Sequence, residues 1–375
     1  MNFDVSYLSI DSVQEGVGSS QIQSLLFQLA KSDLSLNLVT FEKNTPSTDV
    51  VEQFKARGIR WTPLPFEGFG ALSGMKRVYR LLKVVPESKV LHCRSDLPSL
   101  AGLLADNGSV LWDVRSLWRE QRKRMNPRQV NSIVDLSLRQ IENYVATRAL
   151  GMNTLTSAVV PILKERYKSL PNFQTVIPTS VDLERFKPIP FPKGRIRMLI
   201  SGNLNQNYDI TLLNELILAF KTQVELEVVW ASDVAASIQQ PMYDIKISLK
   251  HDEMPDLIAS CHFGVALLQK SEKESLAAAM PTKIAEFLAV GRPVIVTSEV
   301  GDFDQMFYER TAGLTLPSDG NLLLVIEEMM QLLSNPKTGS MCRDLAEKYF
   351  NLATSATKYI ELYSKLGIKT DREPN

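Results

Sequence analysis

The stretch AMPTKIAEFLAVGRPVIV, residues 279–296, predicts a helix that leads into a buried strand. Pro281 suits the start of a helix, and apolar residues recur at helical spacing after it. A Gly-x-Pro break at 291–293 ends the helix, and an entirely apolar strand follows. Such helix–strand units are typical of parallel α/β sheets, which indicates the fold class.

The same alternation of short apolar strands and helical patterns runs through all 375 residues and predicts βαβ units. The predicted strands lie near 3–10, 35–41, 59–64, 89–93, 109–114, 152–156, 174–177, 195–201, 224–230, 243–247, 262–268, 293–297 and 312–316. The predicted helices lie near 19–31, 48–57, 72–84, 97–105, 129–149, 158–168, 209–221, 253–260, 281–290, 320–334, 339–350 and 352–366.

A proline-rich segment divides this pattern into two halves. IPTSVDLERFKPIPFPKG holds four prolines, which exclude regular helix or internal strand over most of its length. We therefore expect an α/β protein with two doubly wound, Rossmann-like domains that face each other across a cleft, where ligands bind at the carboxyl ends of the strands. We expect the N-terminal domain at 1–177, the linker at 178–194 and the C-terminal domain at 195–351. Residues 352–375 are expected to form a final helix that returns to the N-terminal domain, followed by a frayed tail.

Composition limits the classes of function. Lysine plus arginine and aspartate plus glutamate both number 42, so zero net charge gives no indication of nucleic-acid binding. Three cysteines far apart in sequence argue against disulfides or a zinc site. The first residues do not resemble a signal peptide, and no apolar run approaches the ~20 residues that span a bilayer. We expect a cytoplasmic protein that is at most peripheral on the inner face of the plasma membrane. We expect it to need neither a cofactor nor a metal. The DFD segment at 302–304 is predicted to lie in a loop and to resemble a metal-binding motif only by chance.

The first predicted loop, DSVQEGVGSSQ (11–21), is a candidate anion site. Gly16 and Gly18 allow tight backbone, Ser19 or Ser20 can cap the following helix, and amides at a helix start attract phosphate. A simple turn with an N-cap explains the same residues equally well. The spacing is not G-x-G-x-x-G, which argues against a nicotinamide dinucleotide.

The opening stretch offers a second candidate anion site. Pro281, Thr282 and Lys283 would place exposed amides and a cation at the positive end of a helix, where a diphosphate can rest. Glu286 could accept two hydrogen bonds from a ribose diol. The structural alternative is that Lys283 is solvated or pairs with Glu286.

Five motifs resemble glycosyltransferase family 4 (group 1), whose members are retaining enzymes with the GT-B fold. They are PTKIAEFLAVGRPVIVTSEVGD, TVIPTSVDLERFKP, MLISGNL, GVGSS and MPDLIASCHFGVALL, at 281–302, 175–188, 198–204, 16–20 and 254–268. The resemblance implies a UDP- or GDP-linked sugar donor and a glycan or lipid-linked acceptor, with retention and no obligatory metal. It implies donor contacts from Gly16, Gly18, Ser19, Gly202, Asn203, Tyr208, Pro281, Thr282, Lys283 and Glu286. It also suggests synthesis of a bacterial surface polysaccharide.

Departures from the family pattern concern charge. Ala278 stands where the family commonly has a second glutamate, and Asn203 and Tyr208 replace the two cations that bind diphosphate. Lys283 is the leading substitute for those cations.

In the N-terminal half, Arg94 and Arg115 align with places where the family often has histidines. An arginine cannot act as a base, but it can hold a phosphate or stabilise a leaving group, so Arg94, Arg115 and Lys283 are the candidate catalytic residues. Salt bridges with Asp96 or Asp113 are the alternative, and His92 is predicted to be a core residue.

The run RSLWREQRKRMNPR, 115–128, has six basic residues and one acid. Arg119, Arg122, Lys123 and Arg124 are predicted to contact an anionic acceptor or membrane surface, unless the run is only a solvated face. Two other functions remain open at this point: a non-catalytic nucleotide- or glycan-binding relative, and a sugar-nucleotide epimerase.

Overall fold

The computed structural model describes residues 2–14, 16, 18–117, 119–120, 132–205, 207–232, 240–249, 251–269, 273–317 and 320–368. The chain forms two compact units, one of Met1–Pro178 with Leu352–Asn375 and one of Thr179–Asn351. Both contain a parallel sheet with helices between most successive strands, as the alternating pattern predicts. None of the described helices is both long and apolar enough to cross a membrane.

The first unit is built on a seven-stranded sheet in the order β3-β2-β1-β4-β5-β6-β7. Its strands β1 to β7 are Phe3–Leu8, Leu36–Glu42, Arg60–Pro65, Ser88–Arg94, Ser109–Val114, Gly151–Thr154 and Phe173–Val176. Its helices α1 to α6 are Ser24–Leu29, Thr48–Ala56, Ala71–Val84, Asp96–Ala105, Ser132–Arg148 and Val159–Arg166. The strand order reverses between β1 and β4, and the loops after these strands meet there.

The second unit has a six-stranded sheet in the order β10-β9-β8-β11-β12-β13. Strands β8 to β13 are Ile196–Ser201, Leu226–Ala231, Ile245–Ile247, Phe263–Ala266, Val294–Thr297 and Gly313–Leu316. Helices α7 to α13 are Ile210–Gln223, Met254–Ala259, Lys273–Ala277, Thr282–Ala289, Phe303–Glu309, Leu322–Ser334 and Thr338–Tyr349. Here the order reverses between β8 and β11.

The last helix, α14 (Leu352–Lys365), packs in the first unit. Tyr359 and Tyr363 join Val5, Tyr7 and Leu111 in one buried cluster. Their hydroxyls are also bonded, because Tyr363 Oη lies 2.7 Å from His92 Nδ1 and Asn153 Nδ2 donates to Tyr359 Oη over 3.0 Å. The helix therefore completes the core beneath β4 and β5.

The proline-rich segment predicted to be a linker packs into the second unit from Thr179 onward. Arg292, fully buried, donates to the carbonyls of Ile189 and Pro190 over 2.7 and 3.0 Å. Arg343 donates to the Phe186 carbonyl over 2.7 Å. Two guanidinium groups thus satisfy carbonyls that no helix or sheet could pair.

Two short helices depart from the predicted pattern. The DFD segment is not a loop: Asp302 precedes α11, which begins at Phe303, and α9 was not predicted at all. Helices of seven and five residues give too few turns for an apolar period to be recognised. The first predicted helix begins instead with a π-helical turn, Gly18–Gln23, that leads into α1.

Candidate functional site

The loops after β8 and β11 meet at the point where the second sheet reverses its strand order. Gly202 follows β8 with φ +87°, a left-handed conformation that favours glycine, and its N–H donates to the Ala231 carbonyl. Tyr208 forms an isolated bridge with Leu268, just beyond β11. Ligands of open parallel sheets bind at such points.

Lys283, in the first turn of α10, reaches this glycine turn. Its Nζ donates a hydrogen bond to the Ser201 carbonyl and lies 4.6 Å from the centre of the Tyr208 ring. A Cβ placed on Gly202 would lie 3.3 Å from the same Nζ, so a larger residue would crowd the ammonium. Lys283 forms no ion pair with a described carboxylate, which leaves its charge available to an anion.

The start of α10 also lacks a side-chain cap. Pro281 occupies the N-cap position, one residue before the helix, and its side chain cannot accept a hydrogen bond from the first-turn amides. The amides and the Lys283 ammonium together form a cationic end that suits a phosphate group.

Glu286 lies one turn further along α10 and is buried with 8% exposure. Its carboxylate has no hydrogen bond or ion pair with any described residue. Burial raises the pKa of Glu286 to about 7, although Arg185 and Lys283 lower it. Its oxygens are not among the buried side-chain atoms that lack a hydrogen-bond partner, so they still reach solvent, and a ligand there can donate hydrogen bonds to them.

Glu286→Gln should therefore stabilise the ligand-free protein at pH 8. Because the folded pKa is raised from 4.5, the native state of the wild type loses stability as pH rises from 4.5 to about 7. The amide removes this loss, worth about 2–3 kcal/mol. Urea unfolding at pH 5 and pH 8 measures the difference between wild type and variant.

Glu328→Gln, on the exposed side of α12, is the matched control with the same chemical change. An equal response in both variants, or no pH dependence in the Glu286 difference, would contradict the environment described for Glu286.

Asn203 and Tyr208, the replacements for the expected cations, have defined contacts. Asn203 Oδ1 accepts a hydrogen bond from Ser232 Oγ over 2.7 Å, and the Tyr208 ring packs beneath the Lys283 ammonium. Ala278 is buried with 3% exposure. Glycine, lysine and tyrosine thus converge as the sequence analysis grouped them, with a single cation among Gly202, Asn203, Tyr208 and Lys283.

The first unit has a corresponding site where β1 and β4 separate. Arg94, at the end of β4, is 4% exposed and its Nε donates to Asp11 Oδ2 over 2.9 Å. Gln21 Oε1 accepts from Arg94 over 3.1 Å and from Arg115 over 3.2 Å. The two arginines predicted from the sequence therefore lie side by side. Ser95, directly after Arg94, has φ 74°, a conformation rare for serine and often found at functional sites.

A buried carboxylate holds Arg115 in place. Asp113 Oδ2 lies 3.2 Å from both Arg115 Nε and His92 Nε2, and Asn153 donates to Oδ1. Burial alone would raise the pKa of Asp113, but Arg115, His92 and Arg94 outweigh it and hold that pKa well below its usual range. Burial lowers the pKa of His92, so this histidine is a neutral core residue, as predicted. The predicted pairing with Asp113 is present for Arg115, whereas Arg94 pairs with Asp11 instead of Asp96.

Glu42 organises the first glycine loop, and sequence reasoning missed it. Its buried carboxylate accepts hydrogen bonds from Ser12 Oγ, Gln14 Nε2 and the Val13 amide. An acid that ends a strand was the available signal, but its partners are about 30 residues away along the chain.

The glycine loop itself fits tightly. A Cβ on Gly18 would lie 1.6 Å from the Ser12 carbonyl oxygen, so only glycine fits there, and Gly16 has φ +51°. Of the two predicted caps, Ser19 and Ser20, the hydroxyls donate to the Gly16 carbonyl over 3.0 and 3.2 Å. These bonds tighten the turn that precedes the helix.

The basic run is described only in part. Arg119 is 9% exposed and donates two hydrogen bonds to Asp135, with Glu142 at 3.6 Å. Contact with an acceptor or membrane would require these ion pairs to break. Arg122, Lys123 and Arg124 lie outside the described residues.

Within the described residues, no three histidine, cysteine, aspartate or glutamate side chains converge as a metal site would need. Of the DFD segment, Asp304 accepts a hydrogen bond from the Glu299 amide over 2.6 Å. The three cysteines are buried and free.

Several solved structures share this fold over nearly the whole chain. Sucrose-phosphate synthase from Thermosynechococcus elongatus matches with TM-score 0.73 and 16% identity, over 97% of this chain and 99% of that one. HepE of Anabaena in complex with UDP-glucose matches with TM-score 0.67 and 12% identity, over 96% and 99%. WaaG, a glycosyltransferase involved in lipopolysaccharide biosynthesis, matches with TM-score 0.63 and 11% identity, over 96% and 99%.

No family model and no curated protein sequence matches the chain. At such low identities the likeness establishes the fold: two Rossmann-like units, as in GT-B glycosyltransferases. The predicted fold class is confirmed in this respect.

Proposed function

We propose that this protein is a glycosyltransferase of family 4, which moves a sugar from a nucleotide diphospho-sugar to a hydroxyl of a glycan or lipid-linked acceptor. The observation that carries the proposal is the Glu286 carboxylate, which belongs to a side chain only 8% exposed, has no hydrogen bond to a described residue and lies one turn from the Lys283 ammonium. A ribose diol supplies two donors to such a carboxylate, and a diphosphate supplies the anion that Lys283 lacks.

The second unit would hold the donor. The diphosphate would lie against the start of α10 and the turn at Gly202, where backbone can approach closely. The nucleoside would extend towards Glu286. No carboxylate is available from Ala278 to contact the sugar, so recognition of the sugar rests on other residues.

The first unit would bind the acceptor. Arg94 and Arg115 would hold an anionic part of the acceptor, and neither can act as a base. Gly16, Gly18 and Ser19 would shape the loop beside them. We expect retention of configuration without a metal, with the leaving diphosphate assisting deprotonation of the acceptor hydroxyl.

Two of the similar structures suggest which donors to test first. HepE of Anabaena was solved in complex with UDP and with UDP-glucose, and WaaG is involved in lipopolysaccharide biosynthesis. We therefore propose UDP-sugars as the first donors to test, with GDP-sugars second, and synthesis of a bacterial surface polysaccharide at the cytoplasmic face of the membrane as the setting.

A non-catalytic relative that binds a nucleotide or glycan is the second candidate. The loss of both expected cations at Asn203 and Tyr208 favours it, because a leaving diphosphate needs its charge offset. Binding without transfer for any donor would distinguish it from the enzyme.

Calorimetric titration with UDP, GDP and their sugars tests the donor site. Glu286→Ala should weaken nucleotide binding about 10- to 150-fold, which corresponds to roughly 1.5–3 kcal/mol for a hydrogen bond to a charged group. The variant should fold normally, since the carboxylate has no described partner to lose.

Glu328→Ala, at an exposed position on α12 of the same unit, is the control. Unchanged affinity in Glu286→Ala would remove the ribose assignment. Failure of the wild type to bind any of these nucleotides would remove the proposed function itself.

A further inference from the structure

Four large apolar side chains are exposed in and just before α3. Phe69, Leu72, Met75 and Tyr79 are exposed by 85%, 78%, 70% and 58%. No other stretch of this length among the described residues exposes as many large apolar side chains. Single exposed apolar residues are ordinary, but a cluster indicates a surface that contacts something else.

The exposed residues share one side of a helix whose other side is fixed. Gly74, Val78 and Leu81 are buried beneath α3, which packs against α4. The opposite side, called here the α3 face, runs about 16 Å along the helix at the standard rise per residue. Its members are Leu72, Met75, Lys76, Tyr79 and Lys83. α3 therefore has apolar side chains on its buried side and also, beside two lysines, on its exposed side.

The charge of α3 is entirely positive. The helix has four basic residues and no acid. Arg77 is buried and donates to the Gly68 carbonyl over 2.7 Å, and Arg80 pairs with Glu67. Lys76 and Lys83 are exposed and form no ion pair with a described carboxylate. Lys83 Nζ lies 4.3 Å from the Tyr79 ring centre, so cation and aromatic ring stand together on the surface.

We propose that the α3 face docks on an anionic lipid bilayer. Leucine, methionine and tyrosine would enter the boundary between headgroups and acyl chains, while the lysine ammonium groups reach anionic headgroups through their flexible stems. A protein partner fits less well, because protein interfaces are depleted in lysine. The proposal is independent of the proposed sugar transfer, since vesicle binding needs no donor or acceptor.

The neighbouring helix layer adds a second apolar pair. α5 packs against α4, and its first turns expose Ile133 and Leu136 by 71% and 56%. Because α3 and α5 each follow a strand of one parallel sheet, both begin at its carboxyl edge. Two helices with exposed apolar first turns at one edge suit a broad, flat surface such as a bilayer.

Co-sedimentation with vesicles tests the proposal. Vesicles of phosphatidylcholine alone are compared with vesicles that contain one-third phosphatidylglycerol. The full-length wild type should bind only the anionic vesicles. Leu72→Ser with Met75→Ser, and separately Lys76→Gln with Lys83→Gln, should each weaken that binding on the order of tenfold. All four side chains are exposed, so the variants should keep the wild-type thermal midpoint.

Leu323→Ser with Leu324→Ser is the matched control, a pair of exposed leucines on α12 beside Glu327 and Glu328. An equal loss in this control, or equal binding to both vesicle types, would overturn the proposal. The proposal would also be overturned if both α3 variants bound vesicles like the wild type while the triple variant Arg122→Gln, Lys123→Gln and Arg124→Gln lost vesicle binding. If the wild type formed a dimer in the absence of vesicles and the variant Leu72→Ser with Met75→Ser were monomeric, the α3 face would be an interface with a second copy of the chain, and the proposal would be wrong.

Discussion

Lys283→Met is expected to lower kcat about 10²–10³-fold, with a much smaller change in donor Kd. This is the range observed when an enzyme loses one group that stabilises developing negative charge. Breaking the glycosidic bond leaves charge on the diphosphate, so a cation beside it contributes more in the transition state than in the ground state. The expectation rests on the proposed function, and steady-state kinetics with the preferred nucleotide sugar measures it.

The surroundings of Lys283 explain why this residue should matter so much. Asn203 and Tyr208 supply no charge at the glycine turn, and Nζ already lies at that turn through its bond to the Ser201 carbonyl. An ammonium has three donors, and only one is used there. Two donors and the full charge therefore remain for a phosphate oxygen.

Two further variants make the test specific. Lys337→Met removes an exposed lysine at the start of α13 and should leave kcat unchanged. Lys283→Arg should recover only part of the rate. Its planar guanidinium is larger than an ammonium, so its N–H donors would lie at different positions relative to Tyr208 and the diphosphate. If Lys283→Met kept the wild-type kcat, another cation would have to stabilise the developing charge. Arg94 and Arg115 would then be the next residues to replace.

Local patterns predicted most of the fold. Several strands are short and entirely buried, so their apolar runs are visible without knowledge of their neighbours, as in VIVT of β12. The grouping of Lys283 with Glu286 is also local, because residues three apart share a side of one helix. Gly202 was grouped with them only through the resemblance of MLISGNL to the family's glycine turn.

Features that depend on distant partners could not be predicted. The partners of Arg292 lie up to 103 positions away, and Arg94 meets Asp11 across 83 positions. No local pattern distinguishes Glu42, which binds a loop, from an acid that is merely solvated. For the same reason the hydrogen bonds from Arg292 and Arg343 to carbonyls of the proline-rich segment could not be predicted.

Asp113→Ala is expected to destabilise the first unit by about 3–5 kcal/mol. Removing one partner of a buried ion pair leaves the other charge uncompensated, which costs more than the pair itself contributed. Asp113 is fully buried, and its loss would leave Arg115 without its carboxylate and Asn153 with Tyr359 Oη as its remaining acceptor. Urea unfolding measures the loss, and hydrogen exchange in β4 and β5 assigns it to this unit.

The effect should depend on pH with a definite sign. Because the folded pKa of Asp113 lies below its usual 3.8, the stability it contributes is present above that pH and is lost as pH falls through the folded value. The difference between wild type and Asp113→Ala should therefore narrow below pH 3.8.

Glu67→Ala is the control in the same unit, since the Glu67–Arg80 ion pair is exposed by 42% and 33% at its two side chains. An exposed pair contributes at most about 1 kcal/mol, because water replaces the lost partner. A cost that small for Asp113→Ala as well would mean that water or another acid compensates Arg115. In that event Arg115 would not be held at a fixed position, and its proposed role beside Arg94 would have to be given up.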